Sequence, residues 1–309
     1  MELPGVLDAV KEVEAYTVGT IERVELISSI GCNSISKNHN HSTPSIISNT
    51  TNSIYRVIIA YPNDTAGEEL PQFLNVVFGN TSLKFGISVE NVTLSRHLMN
   101  NRNMFPGPRF GIEGLRKLVN VAHAPLLCTA LKPMGRSSQE FADMAYSLAK
   151  GGIDIIKDDH GLGNQVWAPF KERIRLCSQS VLRANQETGR NSLYAPCLNC
   201  PSDKIIKRAF YAKECGAGAV MLLPGLSGWD VVRQLASNCT FGLPILIHPA
   251  MLGGWLQTHY NDLDNCNSDE DCHPRGLSHK FLFGVLPRLC GGDGELYCIN
   301  FLYWNHHYE

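Results

Sequence analysis

From residue 105 onward, short apolar runs alternate with amphipathic stretches of helical length, and this alternation constrains the fold most strongly. PLLCTALK, DIIKDD, SLYAPCLN, AVMLLPG, LPILIHPA and ELYCINF read as strands. Between them, SSQEFADMAYSLAKGG, APFKERIRLCSQSVLRANQETG, DKIIKRAFYAKECGAG, SGWDVVRQLASN and LSHKFLFGVLPRLCGG carry helical spacing. Such alternation predicts an α/β protein built on a parallel sheet. The strands end in polar or reactive residues: Lys132, then Lys157 to His160, Asn199 and His248. In a (β/α)₈ barrel all strand C-termini meet at one face, where active sites lie. An open doubly wound sheet usually places a glycine-rich phosphate turn after its first strand. ALKPMG is not such a turn, so a barrel is expected.

The segment FPGPRFG, residues 105–111, punctuates the chain with two prolines and two glycines. Ahead of it, IERVELI and IYRVIIAYP look like strands, Glu68–Phe78 has helical spacing, and LKFGISV and NVTL suggest a second strand pair. Residues 1–105 therefore read as a small α+β domain, and 106–309 as the barrel domain. Residues 31–53 are rich in Asn, Ser, Thr and His without periodicity, which predicts a surface loop or disordered insertion.

Formal net charge is −2, so no electrostatic footprint points to nucleic acid or an anionic membrane. No apolar run is long enough to span a bilayer, and MELPGVLDAVKEVEAY lacks the form of a signal peptide. A cytoplasmic location is the expectation. The 11 cysteines are scattered, and most fall within apolar runs, as buried free thiols do. Cys197 and Cys200 form a CxxC, but Cys266 and Cys272 do not complete a zinc pattern with it.

IIKDDH, Ile155–His160, carries the densest chemistry. Alternation along a strand puts Lys157 and Asp159 on one side, facing the barrel mouth, with His160 at the strand end. Hard oxygen donors suit Mg²⁺, and imidazole suits zinc or manganese better. A lysine ammonium binds no cation, so Lys157 becomes a ligand only as an anion, such as the carbamate formed with CO₂. A plain Lys157–Asp159 salt bridge is the alternative. Lys132, at a strand end, suits an acid, a base or a clamp on an oxyanion. His248 ends ILIH as a further candidate, and His279 opens a helix as a cap or an active-site residue.

Taken together, GPRFGIEGLR, LLCTALKP, GGIDIIKDDHGLGNQ and HPAM resemble the large subunit of RuBisCO and its RuBisCO-like relatives. The resemblance runs from about Ala60 to about Asp293. It implies an N-terminal α+β (ferredoxin-like) domain, a C-terminal TIM (β/α)₈ barrel, and a homodimer with shared active sites. By position, Lys157 matches the carbamylated lysine and Asp159 the Mg²⁺-binding aspartate. Lys132 matches the lysine that handles proton transfer at the enediol, and His248 a histidine near the substrate. Asn80 matches an asparagine that reaches substrate and metal from the N-terminal domain.

The departures point away from carbon fixation. The third metal ligand of RuBisCO is glutamate, and His160 stands there instead. Met134 replaces a second lysine, while Leu246 and Pro249 replace a histidine and a phosphate-binding arginine. LKPMG, IIKDDHGL, HPAM and LFGVLPRL look closest to RuBisCO-like decarboxylases of 3-oxo-isoapionate 4-phosphate. The expectation is a Mg²⁺-dependent lyase that stabilises the enolate of a sugar-acid phosphate. The alternatives are an enolase or isomerase of a methylthio-sugar phosphate, a transcarboxylase/hydrolase on the apionate substrate, or an inactive homologue. About six of eight βα units are legible, so the chain reads as a C-terminally truncated member.

Overall fold

The structure is a computed structural model that describes residues 17–30 and 52–251, apart from 85, 86, 88, 90, 102, 106 and 108. The chain divides into two compact units, Met1–Gly67 and Glu68–Glu309.

In the first unit, strands β1 (Thr20–Ile30) and β2 (Asn52–Ala60) pair antiparallel. Both were expected from their β-branched runs. The register shifts between Ile21 and Arg23 and again between Leu26 and Ser28, so β1 carries two irregularities of the bulge type. Glu25 is ion-paired with Arg23 and, at 3.8 Å, with Arg56 across the ladder. The insertion expected over 31–53 lies outside the described residues, except that Asn52 and Ser53 already belong to β2.

The second unit opens with α1 (Leu70–Phe78), whose Leu70 and Phe73 are buried. Phe73 meets Phe105 edge to face, with ring centroids 5.9 Å apart. The second strand pair does not form among the described residues. Asn91–Leu94 is irregular, and Ser95 instead caps a single helical turn, its Oγ accepting from the Leu98 N–H. A helix α2 (Gly111–Val119) follows.

The alternating pattern then becomes β3 (Cys128–Leu131), α3 (Ser138–Lys150), β4 (Ile155–Asp158), α4 (Phe170–Thr188), β5 (Leu193–Ala195), α5 (Ser202–Glu214), β6 (Val220–Leu222), α6 (Trp229–Ser237) and β7 (Ile245–Ile247). Two of the helix starts have a clear local cause. Ser137 and Glu140 form a full capping box at α3, satisfying two orphan donors reciprocally. Asn164 Oδ1 accepts the Phe170 N–H at the head of α4, and Gly189 ends that helix with φ 70°.

Strands β3, β4 and β5 are parallel neighbours in chain order, as are β6 and β7. A parallel bridge between Cys197 and Met221, with Met221 N–H donating to Pro196, links the two groups. Five consecutive parallel strands thus lie in sequence order. A doubly wound sheet would reverse that order partway; an arc of a barrel keeps it. Closure is not reached among the described residues, since small barrels need about eight strands. ELYCINF and the segment around His279, where a further strand and helix are expected, lie outside the described residues. The core fills the space between strands and helices, from Leu131, Ile156 and Tyr194 out to Phe141, Ile174 and Ile205. Among the described residues, no helix is long and apolar enough to cross a membrane.

Candidate functional site

β4 is buried along its whole length, so its two faces are set entirely by neighbours. Lys157 pairs in register with Ala130 on β3 and Ala195 on β5. Two flanking alanines leave room for the long lysine stem on that side of the sheet. Lys157 itself is only 3% exposed, and its Nζ donates to the Asp158 carbonyl at 3.2 Å. Burial depresses its pKa, and this outweighs the opposing attraction of Asp159.

Asp158 points the other way and is wholly structural. Its carboxylate accepts from Tyr194 Oη at 2.7 Å, Arg173 Nε at 3.3 Å and the Cys197 N–H at 3.1 Å. Arg173 also donates to the carbonyls of Ala168 and Gly163, at 2.8 and 2.9 Å. Gln165 bridges the Gly161 carbonyl and the Gly163 N–H. The loop that presents Asp159 and His160 is thereby tied down from below.

Asp159 is buried at the strand end. Its Oδ1 accepts the Gly161 N–H at 2.9 Å, and its Oδ2 lies 3.1 Å from Lys132 Nζ. Burial would raise its pKa; the Gly161 N–H and the Lys132 ammonium outweigh burial and hold the carboxyl below its ordinary value. The ion pair of Asp159 is therefore made with Lys132, which the sequence had placed on a neighbouring strand without pairing it. His160 Nδ1 lies 3.4 Å from Asp159 Oδ1.

His248 stacks on His160, with ring centroids 4.5 Å apart and planes 17° from parallel. Its backbone N–H donates to Leu222, and its Nδ1 accepts the Ala250 N–H at 3.2 Å. That acceptance leaves the ring proton on Nε2. Burial, followed by repulsion from His160 and Lys157, lowers the His248 pKa to about 4, so the ring is a neutral donor near pH 7.

The structure thus brings Lys132, Lys157, Asp159, His160 and His248 into one cluster at the strand ends. Asn80 is exposed and opens a 3-10 turn at Thr81–Leu83. Among the described residues, no hydrogen bond or ion pair joins it to the other five. His279 lies outside the described residues. Leu246 turns from the site and packs against Cys197, Met221 and Leu223. Met134 stays beside the site: a Cβ added at Gly161 would meet its Sδ at 2.9 Å and Asp159 Oδ1 at 3.3 Å.

Residue-by-residue reading of the sequence missed Arg173, Tyr194 and Gln165. Arg173 left a signal. It shares the apolar face of α4 with Phe170, Ile174, Cys177 and Val181, and a charge on that face demands a buried partner.

As they stand, these side chains do not fit Mg²⁺. Mg²⁺ wants near-octahedral oxygen ligation. Here one carboxylate is available, one of its oxygens is held by Lys132, and the adjacent donor is an imidazole nitrogen. Among the described residues, no three His, Cys, Asp or Glu side chains converge as a metal site.

Comparison with known proteins gives the same neighbourhood. Residues 111–261 match the family model of the ribulose bisphosphate carboxylase large chain, catalytic domain. A 2,3-diketo-5-methylthiopentyl-1-phosphate enolase of Bacillus velezensis is 34% identical over 250 residues, 81% of this chain and 57% of the relative. A 5-methylthioribulose-1-phosphate isomerase of Rhodospirillum rubrum is 32% identical over 203 residues, 64% of this chain and 54% of the relative. Among solved structures, a rubisco-like protein from Alicyclobacillus acidocaldarius superposes with TM-score 0.73 at 27% identity, covering 92% of this chain and 63% of that one. The chain spans a little over half the length of the curated relatives it matches.

Proposed function

The chain belongs to the RuBisCO large-chain superfamily, and on that premise we propose that it enolises a phosphorylated carbonyl substrate without fixing CO₂. The substrate class we favour is a 2,3-diketo-5-methylthiopentyl 1-phosphate, after the activity of two curated Bacillus relatives, 34% and 33% identical to this chain. Those relatives lend no support to the decarboxylation expected from the sequence, so the enolase alternative takes its place.

One observation carries the reading: Lys132 Nζ lies 3.1 Å from the buried Asp159, at the strand ends that also carry the neutral His248 ring. Removing a proton next to a carbonyl throws negative charge onto the carbonyl oxygen. The Lys132 ammonium and the His248 Nε2–H are donors for that oxygen, and Lys132 can pass its ammonium proton to it as a general acid while the Cα–H proton leaves to solvent water. Asp159 holds Lys132 in position, and the Asp158–Arg173 network holds Asp159. Met134 and Pro249 stand at the positions where the resemblance above places the second lysine and the arginine of carbon fixation.

In this reading, residues 1–105 serve as the N-terminal domain and 106–309 as the barrel domain. The chain works as a homodimer in which Asn80 reaches the partner's substrate. Lys157 takes up CO₂ as a carbamate.

The test is direct. Purified protein is mixed with 2,3-diketo-5-methylthiopentyl 1-phosphate in D₂O, and enol formation is followed by ultraviolet absorbance and proton NMR. Accelerated enol formation supports the reading. Release of CO₂ from 3-oxo-isoapionate 4-phosphate, with no enol formed from the diketone, refutes it.

A further inference from the structure

One edge of β1 pairs with β2; among the described residues its other edge is unpaired. Such an edge offers a row of backbone donors and acceptors to another strand. The strand is also apolar and uncovered, with Ile21 62%, Val24 56%, Leu26 56% and Ile27 42% exposed. Its two irregularities, between Ile21 and Arg23 and between Leu26 and Ser28, leave Arg23–Leu26 as the regular stretch. Within that stretch Arg23 and Glu25 share a face and are ion-paired. Positive and negative charge thus lie one on either side of Val24.

We propose that β1 pairs antiparallel with β1 of a second copy of this chain, about a two-fold axis at Val24. Successive side chains alternate faces, so an axis normal to the sheet keeps each side chain on its own face. Arg23 then stands opposite the partner's Glu25, and Glu25 opposite the partner's Arg23. The four charges alternate in sign around a square, and each Val24 meets its copy. The adjacent registers that keep the faces centre on Arg23 or on Glu25. Both set like charges directly opposite, which is destabilising. Bulges and charged side chains are common defences of a free edge. Here the bulges bound the ladder, and the charges select one register within it. The contact is isologous, so one patch serves both copies. It uses no residue of the strand-end cluster, and it stands or fails apart from the enolising reading and from the shared-site homodimer.

The experiment follows association of the full chain by sedimentation velocity over a concentration series. Wild type shows a concentration-dependent step, which is dimer formation, or pairing of dimers where the shared-site homodimer also forms. Arg23→Glu sets carboxylates opposite carboxylates, and Glu25→Arg sets guanidinium groups opposite guanidinium groups. Each variant alone should weaken the step about tenfold or more. Mixing the two variants restores opposite charges at both facing positions, so the mixture should associate as strongly as wild type. Within each chain of that mixture the 23 and 25 side chains carry like charge, so recovery cannot come from repair of the single chain. Val24→Lys is an independent variant should a charge reversal fail to fold: two ammonium groups meet at the axis, and the step should weaken by a similar factor. Circular dichroism confirms that each variant is folded. Folded variants that associate like wild type, a mixture that fails to recover, or no association step in wild type overturns the proposal.

Discussion

Asp158 and Arg173 form an ion pair in which neither side chain reaches solvent, with Nη2 3.3 Å from Oδ2. Buried pairs are weak evidence of stability by themselves, because both ions lose their hydration. Here the pair is fully dressed: Tyr194, the Cys197 N–H and the carbonyls of Ala168 and Gly163 use the remaining donors and acceptors. It fastens β4, β5, α4 and the loop carrying Asp159 into one unit. Its role is to fix the site from beneath.

Removing one partner strands the other charge. Arg173→Leu or Asp158→Leu is expected to destabilise the protein by about 3–5 kcal/mol. Tyr194→Phe, which removes one neutral donor, costs about 1–3 kcal/mol. Urea denaturation followed by circular dichroism measures all three. Equal, small losses across the series would show that the network carries no coupled charge.

The βα alternation was legible because burial on both sides of a parallel sheet leaves near-continuous apolar runs, such as Ile155–Ile156 and Val220–Leu222. The site was legible where a polar or ionisable residue ends such a run, as Lys132, Asp159 and His248 do. What remained hidden depends on pairing across space. Nothing local to Lys132 selects Asp159 rather than Lys157 as its neighbour. Nothing in NVTL announces that Ser95 captures the following residues into a helical turn. The substrate was hidden for a further reason: an enolate is common to enolase, isomerase and decarboxylase chemistry, so the same lysine suits all three.

Gly161 is the contact that lets Met134 lie over the site. An added Cβ would sit 2.9 Å from Met134 Sδ and 3.3 Å from Asp159 Oδ1. Met134 is half exposed and can move aside, so Gly161→Ala should change stability by less than about 1 kcal/mol. The displaced Met134 and Asp159 should nevertheless lower kcat/KM for enol formation by about tenfold or more, since small misplacements are costly at a reacting centre. Adding Met134→Ala should recover most of the loss. No recovery in the double variant would put the damage elsewhere.

The capping box at α3 makes a pH prediction. The Ser137 backbone N–H, then the Ser137 hydroxyl, hold the Glu140 carboxyl below its ordinary value in the folded protein. A lowered folded pKa contributes stability that is fully present above the unfolded value of about 4.3. It is lost as pH falls through the lower folded value. Ser137→Ala removes the hydroxyl contacts, so the gap in Tm between wild type and variant should be widest near neutrality and narrow in acid. The cap that Ser137 Oγ makes with the Glu140 N–H survives protonation, so the gap should not close completely. Melting curves from pH 3 to pH 7 test this, and a gap that widens in acid would overturn it.

Lys132 separates stability from chemistry. Its side chain is 65% exposed, so the ion pair with Asp159 is screened on one side, and such pairs contribute at most about 1 kcal/mol. Lys132→Ala should therefore melt close to wild type. If Lys132 carries the proton and faces the enolate oxygen, the same variant should lose about 10²–10⁴-fold in turnover. Lys132→Arg discriminates further. A guanidinium keeps the positive charge beside Asp159 but gives up its proton far less readily. It should therefore preserve KM more than kcat. A variant that binds and turns over like wild type would remove Lys132 from the reaction, and with it the argument that the Asp159 ion pair positions a catalytic group.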